Sequence, residues 1–202
     1  NQLKNIPGSV WAMLGIAVAV GIVVGLLISI FLVAPLQVGC YRWYILNRTS
    51  NPPMGELLNS FRNGYFNTAK IMFCKGLYTT LWSLLFIIPG IIKAYEYSMI
   101  PYLLAENPNM SKQEAFAISK ELMDGNKFNA FVLDLSFILW NFVGALAFGL
   151  PGIFFVNPYV QLTNVELYVK LCQIRAERHN STYNQDYNQN FNQNDFSGYT
   201  QV

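Results

Sequence analysis

The sequence predicts an all-α fold: a polytopic membrane helix bundle of repeated Pro-Gly-turned helical hairpins with amphipathic surface helices. Three observations predict it. Of the 202 residues, 53% are hydrophobic and 12% charged, half the roughly 25% charged share of soluble domains. Long uncharged apolar stretches recur along the chain, and two of the apolar regions carry a Pro-Gly pair near their middle. Between them lie polar segments with helical apolar spacing.

The first apolar stretch, residues 10–36, contains no charged group. It is too long for a signal-peptide core and long enough to cross a ~30 Å hydrocarbon layer with some tilt. Within it Ala17, Gly21, Gly25 and Ser29 recur every four residues, a smooth packing face for another helix, although small residues are also simply common in membrane helices. The polar stretch that follows is broken by Pro52 and Pro53. From Met54 onward, Leu57, Leu58, Phe61 and Phe66 fall at helical spacing and predict an amphipathic surface helix over 54–66.

Residues 71–105 are too long for one comfortable span, and Pro89–Gly90 divides them. The segment reads either as one span ending near Ile92 or as a hairpin of 71–88 and 91–105. A third region repeats the layout: span 128–149, a turn at Pro151–Gly152, span 153–172. Charge separates the readings. Hairpins leave only Lys4 and Lys93 on the far side, with the other eleven of the thirteen Lys and Arg on or near one side. Three single spans would divide them eight to five. The positive-inside rule therefore selects hairpins, although 91–105 reaches only about 22 Å at ~1.5 Å per residue.

A shift of 58 residues lays Glu56 on Glu114, Phe73 on Phe131, Leu77 on Leu135 and Trp82 on Trp140, and the Pro-Tyr pairs 101–102 and 158–159 match at 57. The repeating unit is a surface helix, a span, a Pro-Gly turn and a second span with a Pro-Tyr kink. Ser111-Lys112-Gln113-Glu114 has the capping-box pattern at the start of a second surface helix over 112–123. Because the chain opens on Asn1 and span 10–36 resembles the back half of a unit, the expectation is a six-span parent of which five spans are present. Residues 180–202 form an Asn/Gln/Tyr-rich tail expected to be disordered.

The segments PLQVGCYRWYILN, LWSLLFIIPGIIKAYEYSMIPYLLAENP and EAFAISKELMDGNKFNAFVLDLSFILW resemble the bacterial integral membrane proteins of domain-of-unknown-function family 975. The resemblance covers roughly residues 35–170 and is most specific over 81–140. That family is distantly similar to the membrane domain of some glycerophosphodiester phosphodiesterases. The resemblance implies a multi-pass protein of the bacterial plasma membrane and carries over no activity and no catalytic residue; the positive-inside count under the hairpin topology puts the C-terminal tail on the cytoplasmic side.

The composition also excludes functions. A net charge of +2 lacks the basic field that nucleic acid requires. Cys40, Cys74 and Cys172 are too widely spaced for a disulfide framework or a zinc site. The single histidine, His179, lies beyond the last span, which argues against a nucleophile–base pair. No catalytic residue, metal site or cofactor is expected.

The candidate polar sites inside apolar regions are Asp134, Glu96, Lys93 and Glu166, since a charge there needs a partner or water. Asp134 reads either as a proton or cation site in a polar cleft or, given its shallow depth, as an interfacial carboxylate paired with Lys75 or Lys127. Lys93 and Glu96, three apart, can pair on one helix face. The expected partners are the bilayer, anionic headgroups drawn to Arg62, Lys112 and Lys120, and a membrane protein or second copy. Three functions are open: a non-enzymatic scaffold or accessory component, a transporter of a small or lipid-like solute, and an intramembrane lipid-acting enzyme. Carboxylates sharing one cavity would favour the second; carboxylates scattered over the bundle would favour the first.

Overall fold

The computed structural model describes residues 8–146 and 157–197, and these are helical with no strand among them. Helix α1, Gly8–Ile28, runs through a widened π-helical turn, Ser29–Val33, into α2, Ala34–Asn47. The first helix thus extends eleven residues beyond the predicted 36. The widened turn sits immediately before Pro35, and the Ala34 N–H reaches back five residues to the Ser29 carbonyl. Pro35 has no N–H for the Phe31 carbonyl four residues earlier. The Tyr65 hydroxyl donates to that carbonyl instead, at 2.7 Å.

Segment 54–66 departs from the single helix expected of it. Met54–Leu58 is a 3₁₀ turn, α3 is Asn59–Arg62, and Phe66 already belongs to α4, Tyr65–Leu85. The break is Gly64, at φ 65°, a left-handed conformation that costs a residue with a Cβ roughly 1–2 kcal/mol. A Cβ there would also press on the Pro108 carbonyl oxygen at 2.6 Å.

Pro89 and Gly90, expected as the hairpin turn, lie inside the first turns of α5, Ile87–Glu96. The chain turns at Phe86, whose backbone is extended at φ −153° and ψ 135°. Pro89 is tolerated because the first N–H groups of a helix have no partner within it. Gly90 lies against Ser83, where a Cβ would come within 2.5 Å of the Ser83 Cα. In a continuous helix residues seven apart are separated by about 10 Å, so the chain folds back here. Span 91–105 is not one helix either: α5 ends at Glu96, and α6 is Ile100–Glu106. Pro101 explains the interruption, because its ring clashes with the carbonyl four residues earlier, that of Tyr97.

Helix α7, Lys112–Leu122, matches the second surface helix, and the Ser111 hydroxyl caps it by accepting the Glu114 N–H at 3.2 Å. Gly125, at φ 75°, leads into α8, Lys127–Leu146. The ends of spans 128–149 and 153–172, with Pro151 and Gly152, lie outside the described residues. Helix α9 runs Asn157–Ser197, so residues 180–197 are helical where the composition suggested disorder. Adding residues to a formed helix avoids the costly nucleation step, and neither Gly nor Pro interrupts the sequence from Tyr159 to Ser197.

The chain divides into two compact units, one of Asn1–Ile91 with Ile100–Ala115, the other of Ile92–Met99 with Phe116–Val202. In the first, α2 packs on the 3₁₀ turn, α3, α4 and α6, burying Val38, Ala69, Ile71, Ile100 and Leu104. Gly39 permits the closest approach, since a Cβ there would overlap the Leu57 carbonyl. In the second, Val165, Tyr168 and Leu171 of α9 share a helical face and are buried, as are Leu122, Met123 and Ala130.

We expect Gly39→Ala to destabilise the fold by about 1–3 kcal/mol through overpacking. Gly25→Ala should lose nothing, because a Cβ at Gly25 meets no atom within 4 Å. Thermal unfolding in detergent, followed by circular dichroism, separates the two; equal melting curves would contradict the contact at Leu57.

Candidate functional site

The polar groups that the sequence places in apolar surroundings fall into ion pairs and hydrogen bonds, unit by unit. In the first unit Arg42 is a fork. Its Nε donates to Glu56 Oε2 at 2.8 Å and its Nη1 to the Ala105 carbonyl at 2.9 Å. Ala105 is in the last turn of α6, where carbonyls lack intrahelical donors and a cation is favoured. Asn67 does the same for the loop after α6, its Nδ2 donating to the Pro108 and Met110 carbonyls at 2.8 Å each. Tyr41 and Tyr102 pack ring to ring at 4.3 Å between α2 and α6.

In the second unit the C-terminal part of α5 carries the candidates. Glu96 is 3% exposed. Lys93 Nζ lies 2.9 Å from its Oε2, the pairing expected from their spacing, and Lys127 Nζ adds a second cation at 3.6 Å. The buried Ser119 hydroxyl donates to the Glu96 backbone carbonyl at 2.8 Å, tying α7 to α5. Lys93 also sits over the Tyr97 ring, 5.7 Å from its centroid.

Asp134 has a different partner from those expected. The Tyr95 hydroxyl donates to its Oδ2 at 2.7 Å, in place of Lys75 or Lys127. A charge-assisted hydrogen bond of this length can hold a half-buried carboxylate without a neighbouring cation. The Tyr95 ring also packs edge-on against Phe131. Glu166 is exposed on α9. Of the small-residue face, Gly21 and Gly25 have open space where a Cβ would be, Ala17 is exposed, and Ser29 borders a groove beside α4.

Sequence spacing gave no warning of a third cluster. Glu121 of α7 accepts from Arg175 Nε at 2.8 Å on one oxygen and meets His179 Nε2 at 2.8 Å on the other. Burial raises the Glu121 pKa, but the hydrogen bonds and charges of His179 and Arg175 outweigh it and hold the carboxyl below its ordinary value. Arg175 and His179 are four apart, hence on one face of α9, but nothing local names a partner more than fifty residues away. No group of three or more His, Cys, Asp or Glu able to hold a metal occurs among the described residues.

These pairings give the groups structural work: each carboxylate in a cluster is held by cations or a hydroxyl from the same chain. The family described as "Protein of unknown function (DUF975)" matches residues 3–175. No curated protein and no solved structure matches the chain.

Two outcomes follow. Asp134→Asn keeps an acceptor for Tyr95 and should change stability by less than about 0.5 kcal/mol, whereas Tyr95→Phe leaves a half-buried acceptor without its donor and should cost about 1–3 kcal/mol; thermal unfolding compares them. For Glu121, whose folded pKa is lowered, the stabilisation is present above the unfolded value near 4.3 and is lost as pH falls through the lower folded value. The protection factors of amides 175–182, measured against the intrinsic exchange rate at each pH, should therefore fall in that window, and in Glu121→Gln they should be low at both ends. Protection factors unchanged by acidification in the unmutated chain would count against the contact.

Proposed function

The chain belongs to the DUF975 family, and from that premise we propose that it is a multi-pass protein of the bacterial cell membrane. In this reading it works as a non-enzymatic scaffold or accessory component, with its C-terminal segment on the cytoplasmic side. The distant likeness to the membrane domain of glycerophosphodiester phosphodiesterases belongs to the same proposal. So do the 58-residue repeat and the hairpin topology, with the turns that the sequence leads one to expect at Pro89–Gly90 and Pro151–Gly152.

One helix among the described residues is long and apolar enough to cross a membrane, Val10–Asn47, with a mean hydropathy of 3.1 in its most apolar window and no residue of that window buried. Exposing such a surface to water costs about 25 cal/mol per Å², so an apolar solvent is its natural surrounding. Further crossings are supported by the charge distribution and by the fold-back of α5 on α4 at Ser83 and Gly90.

The scaffold reading is carried by one observation: the carboxylates are dispersed among separate partners. Glu56 goes with Arg42, Glu96 with Lys93 and Lys127, Asp134 with Tyr95, and Glu121 with Arg175 and His179. A transporter gains support from the interruption of the helix between α5 and α6 beside the Lys93–Glu96 pair, since broken helices often bind ions or substrate in transporters.

Two experiments test the proposal. Single cysteines at 89 and 152, in a chain with Cys40, Cys74 and Cys172 replaced, should both be labelled by a membrane-impermeant maleimide from the same, periplasmic face. Labelling from opposite faces would refute the hairpins. In proteoliposomes, Asp134→Asn and Glu96→Gln should not alter pH-driven solute or proton flux; a flux that either variant abolishes would replace the scaffold with a transporter.

A further inference from the structure

Outside the paired charges, one feature of the first unit combines an apolar groove with an unpaired cation. A groove of about 480 Å³ is bounded by Ile30 and Phe31 on one wall and by Phe66, Ala69, Lys70 and Phe73 on the other. The first wall is the widened turn before Pro35, a distortion often found at functional positions. The second is the N-terminal half of α4. The Tyr65 hydroxyl on the Phe31 carbonyl bridges the two, 2.7 Å long, so the groove is pinned at its edge by a bond between its own walls.

Its surfaces are open. Phe66 is 77% exposed, Phe73 46% and Phe31 42%. Lys70, also exposed, has no ion-pair or hydrogen-bond partner among the described residues. The apolar run that contains Ile30 ends at Leu36, six residues and about 9 Å further along the helix. In the membrane reading that run ends near the cytoplasmic headgroups, on the side where most Lys and Arg collect. The groove is therefore a short apolar channel in the hydrocarbon edge, half of its lining phenylalanine, with Lys70 the one cationic residue beside it.

We propose that this groove seats one acyl chain of an anionic glycerophospholipid, whose phosphate rests on Lys70. Charge complementarity selects this occupant. A net-positive chain with its cations gathered on this face repels a second copy presenting the same face, and it attracts a lipid of net negative charge over a zwitterionic one. The exposed phenylalanines and Ile30 match methylene groups, and no carboxylate lines the groove to oppose a phosphate. The proposal rests on the membrane reading above and adds a located lipid site to it.

The test places p-benzoylphenylalanine at Phe66 in the full chain, reconstituted in vesicles of equimolar phosphatidylcholine and phosphatidylglycerol. After irradiation, mass spectrometry identifies the adducts. One lysine near the surface is worth about a five-fold preference, so phosphatidylglycerol adducts should exceed phosphatidylcholine adducts about five-fold. Lys70→Gln should bring the ratio close to one without lowering the total. The same photoreactive residue at Leu84, 84% exposed and outside the groove, should give a ratio near one throughout. Equal adducts at Phe66, a ratio unchanged in Lys70→Gln, or an adduct to a second copy would each overturn the site while leaving membrane insertion intact. Loss of the chain from the vesicles in alkaline carbonate, with no lipid adduct at either position, would overturn the membrane reading itself.

Discussion

A helix whose side chains from Val10 to Ile28 are all exposed and almost all apolar needs a solvent other than water. That requirement governs much of what lies around it. In an apolar phase a backbone carbonyl or a charge left without a partner costs several kcal/mol, so each irregularity near the helix has to be answered from within the protein. Pro35 removes a donor and Tyr65 replaces it. The last turn of α6 offers a carbonyl, and Arg42 takes it while also holding Glu56.

Burial makes a similar demand in the second unit. Glu96 is nearly buried but has Lys93 and Lys127 around it, with Ser119 fixing its backbone. Asp134 accepts from Tyr95. A buried pair of this kind adds little net stability over an apolar pair, yet removal of one partner leaves an uncompensated charge. These groups therefore specify how α5, α7 and α8 meet more than how firmly they hold. Arg175, His179 and Glu121 do the same between α7 and α9 at a more exposed place, where solvent screening weakens the contact.

Glycine and proline mark where the chain changes course, though not always at the residue that sequence reading selects. Gly64 breaks the segment expected to be one helix because its left-handed backbone and its contact with the Pro108 carbonyl both exclude a Cβ. Pro89 and Gly90 sit just past a turn made by Phe86. Pro89 fits the opening of a helix, and Gly90 fits the contact with Ser83. A Pro-Gly pair signals a nearby turn, but the pair itself can serve the helix that follows.

Composition and local pattern alone determined the all-helical class, the long apolar first helix, the capped helix at 112–122 and the Lys93–Glu96 pair. Each depends on periodicity, hydropathy or spacing within a few residues, which a linear sequence records; the family rests instead on resemblance over much longer segments. Tertiary structure alone decided that Asp134 meets Tyr95, that Glu121 meets Arg175 and His179, that Arg42 closes on Glu56 and Ala105, and that Tyr65 reaches Phe31. These partners are 14 to 63 residues apart. Their meeting depends on where helices turn and which faces they present, a property of packing that no short window of sequence contains.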